Sequence, residues 1–159
     1  MIWIQPEHPK QLTPIFRNLT TVFLLGIFSE CDLSWTLFIL EAAPALQDFA
    51  LSQHSCIKTP EDSAEKTNVV WEPSKDLKHL NLKVLQIFGC EDEDKVTNYI
   101  RLVMDRAVRL LKIKLYGENP CTYCDATNLE RSKAENASRR RIKEQVTHGS
   151  SSSVEIIMC

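Results

Sequence analysis

Glycine is scarce in this chain, four residues in 159, and neither G-x-x-x-x-G-K-[ST] nor G-x-G-x-x-G occurs. A loop that cradles a phosphate needs glycine for its close backbone approach, so nucleotide-binding chemistry of that kind is excluded. There is no G-x-S-x-G, and the four histidines (8, 54, 79 and 148) lie far apart. Nothing pairs a nucleophile with a base, so no catalytic residue is expected and the chain reads as a non-enzyme. Charge of one sign is also missing. With 19 Lys and Arg against 21 Asp and Glu, the net charge is −2, which argues against a nucleic-acid binder that neutralises phosphates over a broad face. The greasiest run, Val22–Phe28, is stopped by Glu30 and Asp32, far short of the roughly 20 residues a membrane span needs. Met-Ile-Trp-Ile-Gln-Pro-Glu-His-Pro has no basic region followed by an apolar run, so no signal peptide is visible. The expectation is an intracellular protein, cytoplasmic or nuclear, with no membrane partner and with the sequons at Asn18 and Asn136 unused. Cys159 is the last residue rather than fourth from the end, so the prenylation pattern is missing.

Six cysteines (31, 56, 90, 121, 124 and 159) are scattered rather than framed as a disulfide scaffold, and they read as mostly reduced thiols. Cys121-x-x-Cys124 is the one metal-like or redox-like spacing. Zinc takes about four ligands, and only His148 and Cys159 follow the pair. Ordinary loop cysteines are the simpler reading and no cofactor is expected; a small zinc-binding or redox protein is the alternative from another class. The acids Glu91–Asp94 lack the central glycine and distal glutamate of an EF-hand, so helix-capping acids are expected instead.

What the chain does have is a repeated spacing, apolar-x-x-apolar-x-apolar, at Leu19–Leu24, Leu46–Leu51, Leu82–Ile87 and Val108–Ile113, separated by 27, 36 and 26 residues. In the third copy Cys90 follows, giving L-x-x-L-x-L-x-x-C. This is the strand signature of a leucine-rich repeat, whose units bury their apolar side only against neighbours. The expected fold is an α/β leucine-rich-repeat solenoid piece, with parallel strands on one side and helices on the other. Strands are expected at Thr21–Phe28, Leu46–Ser52, Val108–Leu115 and Val154–Met158, and helices at Leu33–Ala43, after Glu91–Asp94, and at Lys133–Val146. Residues 1–11 read as a loose lead-in, 12–117 as the repeat region with a polar insertion over 54–78, and 118–159 as a C-terminal tail.

The string LKVLQIFGCEDEDKVTNYIRLVMDRAVRLLKIKL, residues 82–115, resembles the C-terminal part of plant F-box/FBD/leucine-rich-repeat proteins. SRRRIKEQVTHGSSSSVEIIM resembles the closing helix and strand of that family, and FSECDLSWTLFILEAAPALQDFAL its preceding repeat. The resemblance spans roughly residues 12–159. It implies the substrate-recognition portion of an SCF-type ubiquitin ligase subunit. No F-box-like stretch precedes the repeats, so the chain reads as the C-terminal portion of a longer receptor or a shortened relative. Contact with the Skp adaptor and cullin would require an F-box supplied elsewhere. A truncated product without independent function, marginally stable or self-associating, is a further reading.

The strand register assigns the open, concave face independently of the family. Outward positions are Thr21, Phe23 and Leu25; Asp48, Ala50 and Ser52; Val84, Gln86 and Phe88; and Leu110, Lys112 and Lys114. A solvated sheet face should be mostly polar, yet Phe23, Leu25, Val84, Phe88 and Leu110 are not. Such a patch marks either a partner surface or a face covered by other parts of the chain. The partner-binding candidates are Phe23, Leu25, Asp48, Val84, Gln86, Phe88, Leu110, Lys112 and Lys114, for an unknown target protein. The basic run Arg139–Lys143 is expected to be a solvated helix face, with Ile142 and Val146 turned inward.

Overall fold

Alternation of apolar and polar residues at period two builds short strands, and the five among the described residues run parallel in one sheet. The computed structural model describes residues 9–29, 31–54, 74–90, 93–117, 129–148 and 152–159. The strands are β1 (Thr21–Phe28), β2 (Asp48–His54), β3 (Val84–Phe88), β4 (Lys112–Tyr116) and β5 (Glu155–Met158), in the spatial order of the sequence. The helices are α1 (Pro9–Phe16), α2 (Leu37–Ala42), α3 (Glu93–Arg106) and α4 (Leu129–Thr147). The architecture is thus α/β with a five-stranded parallel sheet. Strands running parallel in sequential order need a crossover after every strand, and the helices α2, α3 and α4 lie within three of these connections.

One face of the sheet is sealed. Phe49 and Leu51 of β2, Leu85 and Ile87 of β3, Ile113 and Leu115 of β4 and Ile156 of β5 form a single cluster with α2, α3 and α4. Helix α2 is buried almost throughout (Leu37, Phe38, Ile39, Leu40, Ala42). Helix α3 presents Val96, Tyr99, Ile100 and Val103 at helical spacing. In its midst the Tyr99 hydroxyl meets Thr36 Oγ1 at 2.7 Å, and Thr36 donates to the Leu33 carbonyl. Helix α4 adds Ile142 and Val146, as expected from the sequence, and packs on α3 through Thr97–Gln145, Ser138–Glu93 and Arg141–Glu93 contacts.

The N-terminal ends of the strands form a stacked seam of nearly identical turns. Leu19 N–H donates to Phe16, Leu46 N–H to Ala43 and Leu110 N–H to Ala107, each over three residues. In the third unit the corresponding amide, that of Leu82, goes instead to Nδ1 of His79 at 3.0 Å. The imidazole then donates from Nε2 to the Ala43 carbonyl at 2.9 Å, tying the third turn to the second. Its own amide donates to Arg106, tying it to the fourth. Beyond the turns, the carbonyls of Thr20, Gln47 and Lys83 each accept two amides from the following unit, at residues 47/48, 83/84 and 111/112.

The structure corrects the phase of the fourth repeat. Leu110, Ile113 and Leu115 are buried, whereas Val108 and Leu111 are exposed, Leu111 at 57%. The repeat is Leu110-x-x-Ile113-x-Leu115, 28 residues after Leu82 rather than 26. Two overlapping triads share Ile113, and the turn closed by Ala107 and Leu110 selects the later one. Leu110 is therefore a core residue, 5% exposed, and does not belong to the open face.

Other elements differ in detail. Leu33–Ala43 is split into a 3-10 turn at Ser34–Thr36 and the shorter α2, whose N-cap positions are Leu33 and Thr36 rather than Asp32; Asp32 instead accepts from Ser34 N–H at 2.6 Å in a local turn just before them. Helix α1 replaces part of the expected loose lead-in: Pro9 opens it, and Leu12 and Phe16 pack against the core. Pro6 and Pro9 are what make residues 1–11 read as loose; a further proline, Pro14, lies inside the helix. The insertion at 54–78 and the tail loop fall mostly outside the described residues.

Candidate interaction surface on the open face of the sheet

Strand pairing places the outward side chains in transverse rows. The first is Thr21, Asp48, Val84, Lys112 and Glu155; the second is Phe23, Ala50, Gln86, Lys114 and Ile157. A third, at the C-terminal ends, is Ser52, Phe88 and Tyr116. Leu25 stands beside it, displaced by a bulge between Leu24 and Ile27 where Gly26 takes φ +73°. Of the residues expected here, Phe23, Leu25, Asp48, Val84, Gln86, Phe88, Lys112 and Lys114 share this face, and Leu110 does not. The face also holds Tyr116, Glu155 and Ile157, which the sequence reading does not assign to it. Tyr116 continues the Lys112, Lys114 alternation by one more step and was legible in principle.

An aromatic row crosses the upper half. Phe88 stacks on Tyr116 at 4.2 Å between ring centroids with planes 6° apart, and Phe23 meets Phe88 at 5.5 Å. Phe23 and Phe88 sit on β1 and β3, with β2 between them. Strands two apart are separated by roughly 9.5 Å, so the rings must lean across β2 to approach this closely. Ala50 and Ser52 are the small residues that permit it, and both are buried although they point to the open side. The row remains accessible at its β1 end, where Phe23 is 48% exposed and Leu25 69%.

The lower half is polar. Gln86 Nε2 donates to Asp48 Oδ1 at 2.8 Å, and Lys112 lies 3.8 Å from Glu155. The Lys112–Glu155 pair is solvent-screened and contributes about 0–1 kcal/mol. Lys114 stands between Gln86 and Ile157, half-buried, with no carboxylate on either neighbouring strand in its row. Desolvation first, then the nearby Cys159 thiol and Asp48 carboxylate, raise the Tyr116 phenol above its ordinary value of 10.0.

The remaining chemical candidates are structural. Cys90 is buried behind β3, and desolvation pushes its thiol up to about 12, with the Arg139 charge opposing; such a thiol is a poor nucleophile. Arg139 is not solvated as expected. Its guanidinium is buried against the carbonyls of Leu115 and Cys159 and the Asn136 side chain, closing the ends of β4 and β5. Glu93, read as a capping acid, also links α3 to Ser138 and Arg141 of α4. Cys31, Cys90 and Cys159 are free thiols, while Cys121 and Cys124 lie outside the described residues. Among the described residues no group of three or more His, Cys, Asp or Glu is placed to hold a metal, and no helix is long and apolar enough to cross a membrane.

The chain matches no protein-family model, no curated protein and no solved structure.

Proposed function

We propose that this chain is a non-enzymatic protein-binding module that presents the open face of its parallel sheet to a partner protein. The carrying observation is the aromatic row Phe23–Phe88–Tyr116 with Leu25 beside it, on the side of the sheet that the described helices leave uncovered. Contiguous apolar surface flanked by polar groups is the usual composition of a protein interface. We read the sheet as part of a leucine-rich-repeat solenoid, because stacked turns at Phe16, Ala43, His79 and Ala107 recur ahead of β1, β2, β3 and β4. On the resemblance noted in the sequence, the target would be a protein selected for ubiquitination, with the Skp adaptor reached only through an F-box supplied elsewhere.

The test is differential capture from plant extract. The tagged chain is compared with a Phe23→Ser/Phe88→Ala variant shown to be folded by circular dichroism, and retained proteins are read by mass spectrometry. The proposal expects proteins held by the wild type and lost by the variant. An identical retained set for both chains would refute the open-face assignment.

A further inference from the structure

The polar and aromatic halves of the open face meet at one residue. Among the described residues Lys114 has no hydrogen-bond or ion-pair partner, whereas Asp48 has Gln86 and Lys112 has Glu155. It lies between Gln86 and Ile157 in its row, one alternation below the Phe88–Tyr116 stack. A cation held half-buried beside apolar surface without a counter-charge is poised for an anion from outside, since pairing would offset its partial desolvation.

Building on the protein-binding reading above, we infer that this face recognises an extended peptide segment of a partner protein in which an Asp or Glu stands two residues from a large apolar side chain. The carboxylate pairs with Lys114 Nζ and the apolar side chain rests on the aromatic row. The spacing follows from geometry. Lys114 and Tyr116 are two residues apart on one strand, about 6.6 Å, and alternate side chains of an extended peptide repeat at the same distance. The positively charged lysine and the rings thus match one carboxylate and one apolar anchor on the same side of the ligand. Lys112 lies 3.8 Å from Glu155, a weak, solvent-screened pair that places a carboxylate beside it, which Lys114 lacks in its own row.

The experiment uses the full chain against a phage-displayed library of random dodecapeptides, followed by fluorescence anisotropy with the selected peptides. Selection should enrich an acidic residue two positions from Phe, Leu, Trp or Met. Replacing that acid by its amide should weaken binding by about 10- to 100-fold, the range for a lost charge-assisted pair. Lys114→Glu should reject the selected peptides and, in a fresh selection, enrich Lys or Arg at the same position. Lys114→Met should keep the apolar preference and lose the acidic one. If peptides are selected without the acid, or Lys114→Glu leaves their charge unchanged, this inference is overturned while the binding face stands. If no peptide binds the wild-type chain, both this inference and the extended-peptide form of the binding reading fall, and capture with the Phe23→Ser/Phe88→Ala variant decides whether a folded partner surface remains.

Discussion

The two ends of the strands solve the same problem by different means. At the N-terminal ends, turns repeat from unit to unit and backbone groups satisfy one another, with the His79 side chain substituting in the third turn. At the C-terminal ends each device is different: Gly26 relaxes a bulge, Gly89 lets two backbones touch, and Arg139 gathers the last carbonyls. Regularity at one end holds the register, and irregularity at the other leaves room for the aromatic row to be shaped.

That contrast can be broken most severely at Gly89. Its φ is +78°, and a Cβ there would lie 2.7 Å from the Gln53 carbonyl oxygen. Gly89→Ala should cost about 2–4 kcal/mol, combining left-handed strain with a clash against backbone that cannot swing aside; urea denaturation measures it. Gly26 shares the conformation at φ +73°, but a Cβ there would meet nothing within 4 Å. Gly26→Ala isolates the conformational part and should cost about 1 kcal/mol. Equal losses at the two glycines would show that the close approach at Gly89 contributes little.

At the regular end, His79→Ala should cost about 2–3 kcal/mol, because it strands the Leu82 amide and the Ala43 carbonyl in a buried seam. The same residue gives the seam a pH dependence. Desolvation holds the His79 imidazole below its ordinary 6.5, outweighing the raising effect of its bond to Ala43. The unfolded chain therefore takes up this proton before the folded one does. Its contribution to stability is fully present above pH 6.5 and is lost as pH falls towards the folded value. Protonation would also point an N–H at the Leu82 amide, whose hydrogen bond Nδ1 now accepts. His79→Gln should show a shallower decline between about pH 7 and pH 5 than the wild type; parallel curves would remove His79 as the cause. Arg139→Met should cost a smaller amount, about 1–3 kcal/mol, since the carbonyls it leaves lie near strand ends where water can reach part of the site. Amide exchange should then quicken at β4 and β5 more than at β1 and β2.

The parallel crossovers and much of the strand phase were legible from L-x-x-L-x-L alone, because a buried strand face imposes strict alternation. The fourth repeat is misphased in the sequence because Val108, Leu111 and Ile113 make one triad and Leu110, Ile113 and Leu115 another, and only the turn at Ala107 separates them. That ambiguity gives the open face one false member, Leu110, and hides Tyr116. Helix α1 is illegible because Pro6 and Pro9 make the lead-in read as loose, whereas Pro9 in fact opens the helix and the packing of Leu12 and Phe16 outweighs the further cost of Pro14. Arg139 looks like one of a solvated basic run. Its burial depends on the carbonyls of Leu115 and Cys159 meeting it in space, which no spacing in the sequence announces.

The doubled carbonyls of the seam carry a sense of direction. Thr20, Gln47 and Lys83 each receive two amides from the unit that follows them, and Leu111 receives that of Glu155. Acceptors thus face forward along the chain and donors face back. At this level of the seam, a strand laid outside β1 could join only by offering its oxygens, and one laid outside β5 only by offering its nitrogens. Two copies set β1 to β1 or β5 to β5 with their strands parallel would bring the same half of the bond together at this level, so such a pairing would have to run antiparallel, with each seam against the other end of its partner's strand.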